Sequence, residues 1–148
     1  MIAIGCDHGG WKLKNRIVAH LQEKAVACED FGTFSEESVD YPVYALKVAE
    51  EVAQKHADFG ILVCSTGLGI CMAANKVKGI RSATCTNVFM AEMTRRHNDA
   101  NVLCLGGLVV EEETALAMVD VFLKTEFEGG RHQRRVDQIT KIESEAAL

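Results

Sequence analysis

The stretch Asp58 to Asn75, DFGILVCSTGLGICMAAN, constrains the chain more than any other. Its apolar run, Phe59 to Val63, has the length of a buried strand. Cys64-Ser65-Thr66-Gly67-Leu68-Gly69 breaks the run, and from Ile70 onward the pattern is helical. A strand that ends in a thiol, two hydroxyls and two glycines, then feeds a helix, sets reactive groups beside unpaired backbone N–H donors. Such a junction suits an anion, either a phosphate or an oxyanion formed during a reaction.

The same alternation runs through the chain. Apolar strand-length runs are predicted at Met1 to Gly5, Val26 to Phe31, Phe59 to Cys64, Ile80 to Cys85 and Asn101 to Leu105. Helical spacing follows each of them. Leu13, Ile17 and Leu21 share a face within Trp11 to Lys24, and Tyr44, Val48 and Val52 form a stripe after Pro42. A third helix is predicted to reach Val77, with Gly79 as its C-cap, and a fourth spans Val88 to His97. Glu111 to Lys124 opens with three acids, as the helix dipole favours, and a last helix from Arg131 carries Val136, Ile139 and Ile142 on one side. With no linker suited to a boundary, residues 1–148 read as one domain. Strands alternating with helices imply one parallel sheet covered on both faces. Ligands of such sheets bind beyond the carboxyl ends of the strands, near a switch in strand order. Asp7-His8, Cys64 to Gly69, Thr86-Asn87 and Gly106-Gly107 all follow strands and are expected on one rim.

Composition narrows the function. At 48% hydrophobic and 25% charged, the 148 residues describe a globular domain with a real core. A net charge of −5 and few aromatics argue against nucleic acid and against acidic membranes. The first residues, MIAIGCDHGG, lack the basic and apolar regions of a signal peptide, and no run approaches membrane-spanning length. Six cysteines without a C-x-x-C pair fit a reduced, cytoplasmic protein.

Several residue groups carry candidate chemistry, and each has a plainer reading. Asp7 and His8 could meet hydroxyls and a phosphate, or Asp7 could simply cap the next helix. Met72 stands where a dinucleotide fingerprint needs its third glycine, and no Gly-Lys-Ser/Thr closes a phosphate loop. Phosphate cradling and an oxyanion hole both survive at Gly67 to Ile70. Cys64, just before a helix N-terminus, is either an activated thiol or a small buried hydrophobe. His97, in Arg95-Arg96-His97-Asn98-Asp99, is either an acid/base or a helix-terminal cation. Arg131 and Arg135, four apart, either clamp a phosphate or form a solvated basic turn. Metal-ligand spacings such as H-E-x-x-H are absent, and no metal or cofactor is expected.

Taken in order, Ile4-Gly5-Cys6-Asp7-His8-Gly9-Gly10, Asp40-Tyr41-Pro42, Cys64 to Ile70, Ala73-Ala74-Asn75-Lys76, Gly79-Ile80-Arg81, His97-Asn98-Asp99-Ala100-Asn101 and Glu128-Gly129-Gly130-Arg131-His132 resemble one family. It is that of the ribose-5-phosphate isomerases B, which includes the galactose-6-phosphate isomerase subunits. The resemblance implies a three-layer Rossmann-like fold and a cofactor-free aldose–ketose isomerisation through an enediolate. It also implies a homodimer or dimer of dimers, with the C-terminal helix against a partner and sites shared between subunits. By the same resemblance, Cys64 is the base that moves the proton between C1 and C2, and Thr66 assists ring opening or proton exchange. His97 opens the furanose ring. The N–H groups of Gly67, Leu68, Gly69 and Ile70, beside Ser65, hold the enediolate. Asn98 meets an oxyanion or hydroxyl, Asp7 and Tyr41 contact hydroxyls and the ring, and His8, Arg131 and Arg135 hold the phosphate. Two positions depart from the family pattern: Ser65 stands where members commonly have Gly, and Leu108 where many have Arg. A six-carbon sugar phosphate, a free sugar, or a non-catalytic phosphate-binding module are the competing readings.

Overall fold

The computed structural model describes all residues, Met1 to Leu148. Its elements are β1 (Ile2–Cys6), a 3-10 turn at His8–Gly10, α1 (Trp11–Glu23), β2 (Cys28–Asp30), α2 (Tyr41–Ala53), β3 (Phe59–Cys64), α3 (Leu68–Ala74), β4 (Ser82–Thr84), α4 (Val88–Asn98), β5 (Val102–Gly106), α5 (Glu112–Lys124) and α6 (Arg131–Glu143). The strands form one parallel sheet in the order β2-β1-β3-β5-β4. This is the three-layer α/β architecture expected from the alternation.

The three inner strands explain why the pattern was readable. Every residue of β1 and β5 is buried, and all of β3 except Phe59. Strands covered on both faces must be apolar on both, so they appear as continuous runs. Leu13, Ile17 and Leu21 of α1 pack with Met118, Val119 and Phe122 of α5 and Ala91 of α4 on one face. Ala45, Val48 and Val52 of α2 pack with Ile70 and Ala74 of α3 on the other. β1 passes to β2 on one side, and the chain then returns to place β3 on the other side of β1. The switch in strand order therefore lies between the carboxyl ends of β1 and β3.

Three boundaries differ from expectation. The edge strands β2 and β4 each have three residues, shorter than the runs Val26 to Phe31 and Ile80 to Cys85. Each has a single ladder neighbour, so less of the apolar run is recruited into the sheet. α3 ends at Ala74, before Val77, and Gly79 does not cap it. Asn75 takes its place: its Oδ1 accepts from the Ser82 N–H at 2.8 Å and its Nδ2 donates to the Ser82 carbonyl at 3.0 Å. Gly79, at φ +89°, turns the chain towards β4.

α6 lies against α4, burying Val136 and leaving Ile139 and Ile142 largely exposed. Among charged side chains, Lys14 is the most deeply placed. Its ammonium is fully buried, 2.8 Å from Asp30 Oδ2, and donates to the Thr33 carbonyl at 2.6 Å. These bonds tie α1 to the end of β2 and to the loop after it, and the Val39 N–H of that loop donates to His8 Nδ1 at 3.1 Å.

Removing one member of a buried ion pair strands the other charge, which costs about 3–5 kcal/mol. Asp30 is partly solvated, so Lys14→Ala is expected to lower the unfolding free energy by about 3 kcal/mol in a urea titration. Lys12→Ala, on the same helix but exposed, is expected to stay within about 0.5 kcal/mol of the parent.

Candidate active site

The site grows from how closely three strand ends approach. Asp7 N–H donates to the Val63 carbonyl, Gly107 N–H to the Cys64 carbonyl at 2.8 Å, and Leu108 N–H to the Ser65 carbonyl at 3.0 Å. Cys64 and Ser65 are thereby clasped between the ends of β1 and β5. Only glycine fits on both sides. A Cβ on Gly106 would lie 2.6 Å from the Thr66 carbonyl carbon and oxygen, and one on Gly9 would strike Ser65. The expected gathering of Asp7-His8, Cys64 to Gly69 and Gly106-Gly107 on one rim is what the structure contains.

Within the clasp the segment is held internally. Gly67 takes the left-handed conformation, φ +78°, and its N–H donates to Cys64 Sγ at 3.1 Å. Leu68 N–H donates to Thr66 Oγ1 at 3.2 Å, and Thr84 Oγ1 donates to the Gly67 carbonyl at 2.6 Å. Two of the four expected anion donors, Gly67 and Leu68, are thus engaged with the site's own side chains. The N–H groups of Gly69 and Ile70 have no acceptor within the chain. Tyr41 packs its ring on Gly69, where a Cβ would sit 2.6 Å from Cζ. Asp7 is buried and its Oδ1 accepts from Gly9 N–H at 2.9 Å, so the capping reading holds for this carboxylate. His8 accepts at Nδ1 and keeps Nε2 as a donor.

The other half of the predicted site is elsewhere. Arg81, just before β4, donates from Nε to the Asn98 carbonyl at 3.0 Å and accepts at its own carbonyl from Asn101 N–H. His97 and Asn98 therefore sit at the amino edge of the sheet, near the starts of β4 and β5. Glu128 N–H donates to the Arg96 carbonyl, which brings the start of α6, with Arg131 and Arg135, to the same edge. The β3–β5 pairing runs from Gly60–Val102 to Cys64–Gly106. Four steps of about 3.3 Å put the two edges roughly 13 Å apart. One chain thus unites Asp7, His8, Tyr41 and Cys64 to Ile70, and separately His97, Asn98, Arg131 and Arg135.

His97 has neighbours that its sequence position concealed. Its ring stacks on His132, with centroids 4.1 Å apart and planes 10° from parallel, and its Nε2 lies 3.9 Å from Glu128 Oε1. Desolvation, and then the charges of His97 and Arg131, lower the proton affinity of His132. Neither Glu128 nor His132 stands out as a site residue by spacing, because they reach His97 from a segment far along the chain. The Glu128-to-His132 run lies inside the family motif, which is the available signal.

One thiol that spacing does not single out, Cys71, is drawn towards its thiolate. The Cys104 thiol, which donates to it, pulls it down to about 6 against the cost of burial, with smaller contributions from the neighbouring Ser82 and Thr84. Cys71 lies on α3 and faces the start of β4, with Sγ 3.2 Å from Ser82 Oγ. Burial pushes Cys6 and Cys85 up to about 12. All six cysteines are free.

These features define a class of protein. The model of the family described as Ribose/Galactose Isomerase matches residues 2–139, and the chain belongs to that family. Ribose-5-phosphate isomerase B of Escherichia coli K12 is 53% identical over 142 residues, covering 96% of this chain and 95% of that one. The structure of ribose-5-phosphate isomerase B from Clostridium thermocellum superposes with a TM-score of 0.96 at 55% identity, covering 97% of each chain. That of the Mycoplasma genitalium enzyme, solved with bound ribulose-5-phosphate, gives 0.93 at 45% identity, covering 98% of this chain and 97% of that one.

A thiol is alkylated as its thiolate, and a pKa near 6 leaves Cys71 mostly ionised above that value. At pH 7.5, iodoacetamide followed by peptide mass spectrometry is expected to mark Cys71 well ahead of Cys6 and Cys85. Its rate should fall as the pH drops through about 6. Separately, Gly106→Ala is expected to lower the melting temperature, because the clash is with backbone that cannot step aside.

Proposed function

We propose that the protein interconverts D-ribose 5-phosphate and D-ribulose 5-phosphate, without a cofactor, through ring opening and an enediolate. The observation that carries this reading is the clasped segment Cys64 to Gly69 at the switch in strand order. It joins a thiol, a hydroxyl and two free N–H donors in a chain of this family. The related enzymes named ribose-5-phosphate isomerase B, one with ribulose-5-phosphate bound, support the substrate.

In this reading Cys64 acts as base. Its thiolate takes the proton from C2 of the open aldose, and the C–H electron pair becomes the C1–C2 double bond. The carbonyl π electrons move to O1, where the Gly69 and Ile70 N–H groups stabilise the developing charge. The proton returns at C1 while O2 gives up its own proton to become the ketone oxygen. Thr66, whose hydroxyl already bonds at the helix start, is placed to relay protons between the sugar oxygens. Tyr41 and Asp7 line the ring and hydroxyls, with Ser65 beside them. The phosphate is held by His8 of one chain and by Arg131 and Arg135 of a second copy.

His97 opens the ring and Asn98 meets a hydroxyl or oxyanion, but in one chain both are an edge away from Cys64. The reading therefore places them in the site of a second copy, in a homodimer or dimer of dimers with shared sites. Two observations support this arrangement. The reacting groups divide cleanly between two edges, and Val43 and Leu46 of α2, Leu68 and Met72 of α3 and Phe89 of α4 leave apolar side chains largely exposed. Ile139 and Ile142 give α6 a stripe suited to the same association. No helix is long and apolar enough to cross a membrane. Together with six free thiols, that suits a cytoplasmic enzyme acting on a small metabolite.

Cys64→Ala is expected to lower turnover of ribose 5-phosphate by roughly 10²- to 10⁴-fold while circular dichroism and melting remain close to the parent. Near-normal turnover would remove Cys64 as base. Arg131→Ala should raise the KM for the phosphorylated sugar roughly 10- to 100-fold, the loss of one charged hydrogen bond, and leave kcat less affected. Co-expressed Cys64→Ala and His97→Ala chains should recover activity that neither has alone. No recovery would mean that each chain builds its own site. Comparing turnover of ribose 5-phosphate, allose 6-phosphate and the free sugars tests the substrate assignment directly.

A further inference from the structure

The cluster of His97, Glu128 and His132 contains more than one acid/base needs. Two imidazoles and a carboxylate place one ligand atom each within 4.8 Å of one another. His97 closes α4 while Glu128 and His132 flank the start of α6, so two independent segments converge. From this geometry we propose that the three residues form an inhibitory site for a divalent transition-metal ion of the zinc class. The inhibitory part rests on the function proposed above, since it requires His97 to work as an acid/base. The binding part does not.

The ligand chemistry selects the ion. Two ring nitrogens and one carboxylate oxygen suit zinc, cobalt or nickel, whereas magnesium and calcium prefer sets made wholly of oxygen. Bonds of about 2.0–2.2 Å place tetrahedral donors about 3.3 Å apart. The His97 Nε2 to Glu128 Oε1 distance of 3.9 Å is already close to that. The parallel ring stack must open, because nitrogen lone pairs lie in the ring planes and planes at 10° do not converge. The His97 and Glu128 side chains are more than a third exposed, and Gly129 and Gly130, both at positive φ, join Glu128 to the helix that carries His132. Three protein ligands leave a fourth position for water. Arg131 and Arg135 stand near His132 and oppose a dication, so the site is one of modest rather than structural affinity.

Once bound, the ion occupies the nitrogen lone pair of His97 that proton transfer would use. Ring opening then stops while Cys64, on the other rim, is untouched. The metal also pins the start of α6 to the end of α4, which holds Arg131 in place. The proposal thus predicts loss of turnover without loss of fold.

The test uses reduced full-length protein, with cobalt(II) as a spectroscopic probe and zinc for calorimetry. About one ion per chain is expected, with the intense visible absorption of a four- or five-coordinate cobalt site. His132→Asn and Glu128→Gln should each weaken zinc binding by at least about tenfold, since each removes one of three ligands. Arg131→Ala should tighten it. Equal binding in the parent and both ligand variants, or a cobalt spectrum dominated by thiolate charge transfer, would overturn the site. In assays, zinc should suppress turnover of the parent, EDTA should restore it, and His132→Asn should need a higher zinc concentration for the same suppression. Binding at full turnover would overturn the inhibitory role. An enzyme inactive on ribose 5-phosphate even when metal-free would instead count against the proposed function, with the cobalt and calorimetric results still readable.

Discussion

The backbone clasp around Cys64 and Ser65 is the constraint on which the rest depends. Two carbonyls at the end of β3 accept from Gly107 and Leu108, and the Val63 carbonyl accepts from Asp7. These bonds lock three strand ends into one surface. They are possible because Gly9 and Gly106 allow backbone to approach backbone where any Cβ would intrude. A thiol on a flexible loop would have many orientations. Here the Sγ of Cys64 receives the Gly67 N–H and sits at the end of a buried inner strand. Rigid placement of this kind converts an ordinary cysteine into a group that can meet a substrate atom in one geometry.

The clasp also explains why the local anion site is smaller than four consecutive N–H groups would suggest. Donors compete for the acceptors nearest to them. Gly67 and Leu68 are taken by Cys64 and Thr66, so only the Gly69 and Ile70 N–H groups remain without an acceptor. Binding of an anion there requires no bond to be broken. Tyr41, packed on Gly69, closes one side of that space, and its position follows from the Asp40-Tyr41-Pro42 start of α2. In the proposed reaction the phosphate and the transient oxyanion are handled by different groups, which lets the charge of one be neutralised without quenching the chemistry of the other.

The opposite edge follows another logic. Asp99, in the left-handed conformation at φ +46°, accepts from Arg95 at 2.8 Å and from Arg81 at 3.3 Å. This network fixes the end of α4 and so fixes where His97 stands. Arg95 itself is buried over the Phe59 and Phe122 rings, which makes it a structural cation rather than a substrate ligand. Two neighbouring arginines in one sequence run thus have different duties: Arg95 braces the core and Arg96 pairs with Glu92 on the surface. His97 alone of the three is left with a ring free of strong hydrogen bonds, stacked on His132.

The architecture, and the rim where the polar strand ends gather, were legible in the order of residues. Phe59 to Val63, Ile2 to Cys6 and Val102 to Leu105 are apolar on both faces, a pattern that arises where helices cover both sides. Polar and glycine residues directly after those runs must gather at the carboxyl ends. Asp7, His8 and Cys64 to Gly69 were legible for that reason. Only the tertiary structure decided the strand order, the early end of α3 at Asn75, the low-pKa Cys71 beneath it and the meeting of His97 with Glu128 and His132. Each depends on contacts between residues distant along the chain, for which periodicity carries no signal. The largest decision of this kind is the distance between Cys64 and His97. Their sequence motifs suggest one site, but β3 and α4 cross the same sheet in opposite directions. One group is left at each edge of a single chain.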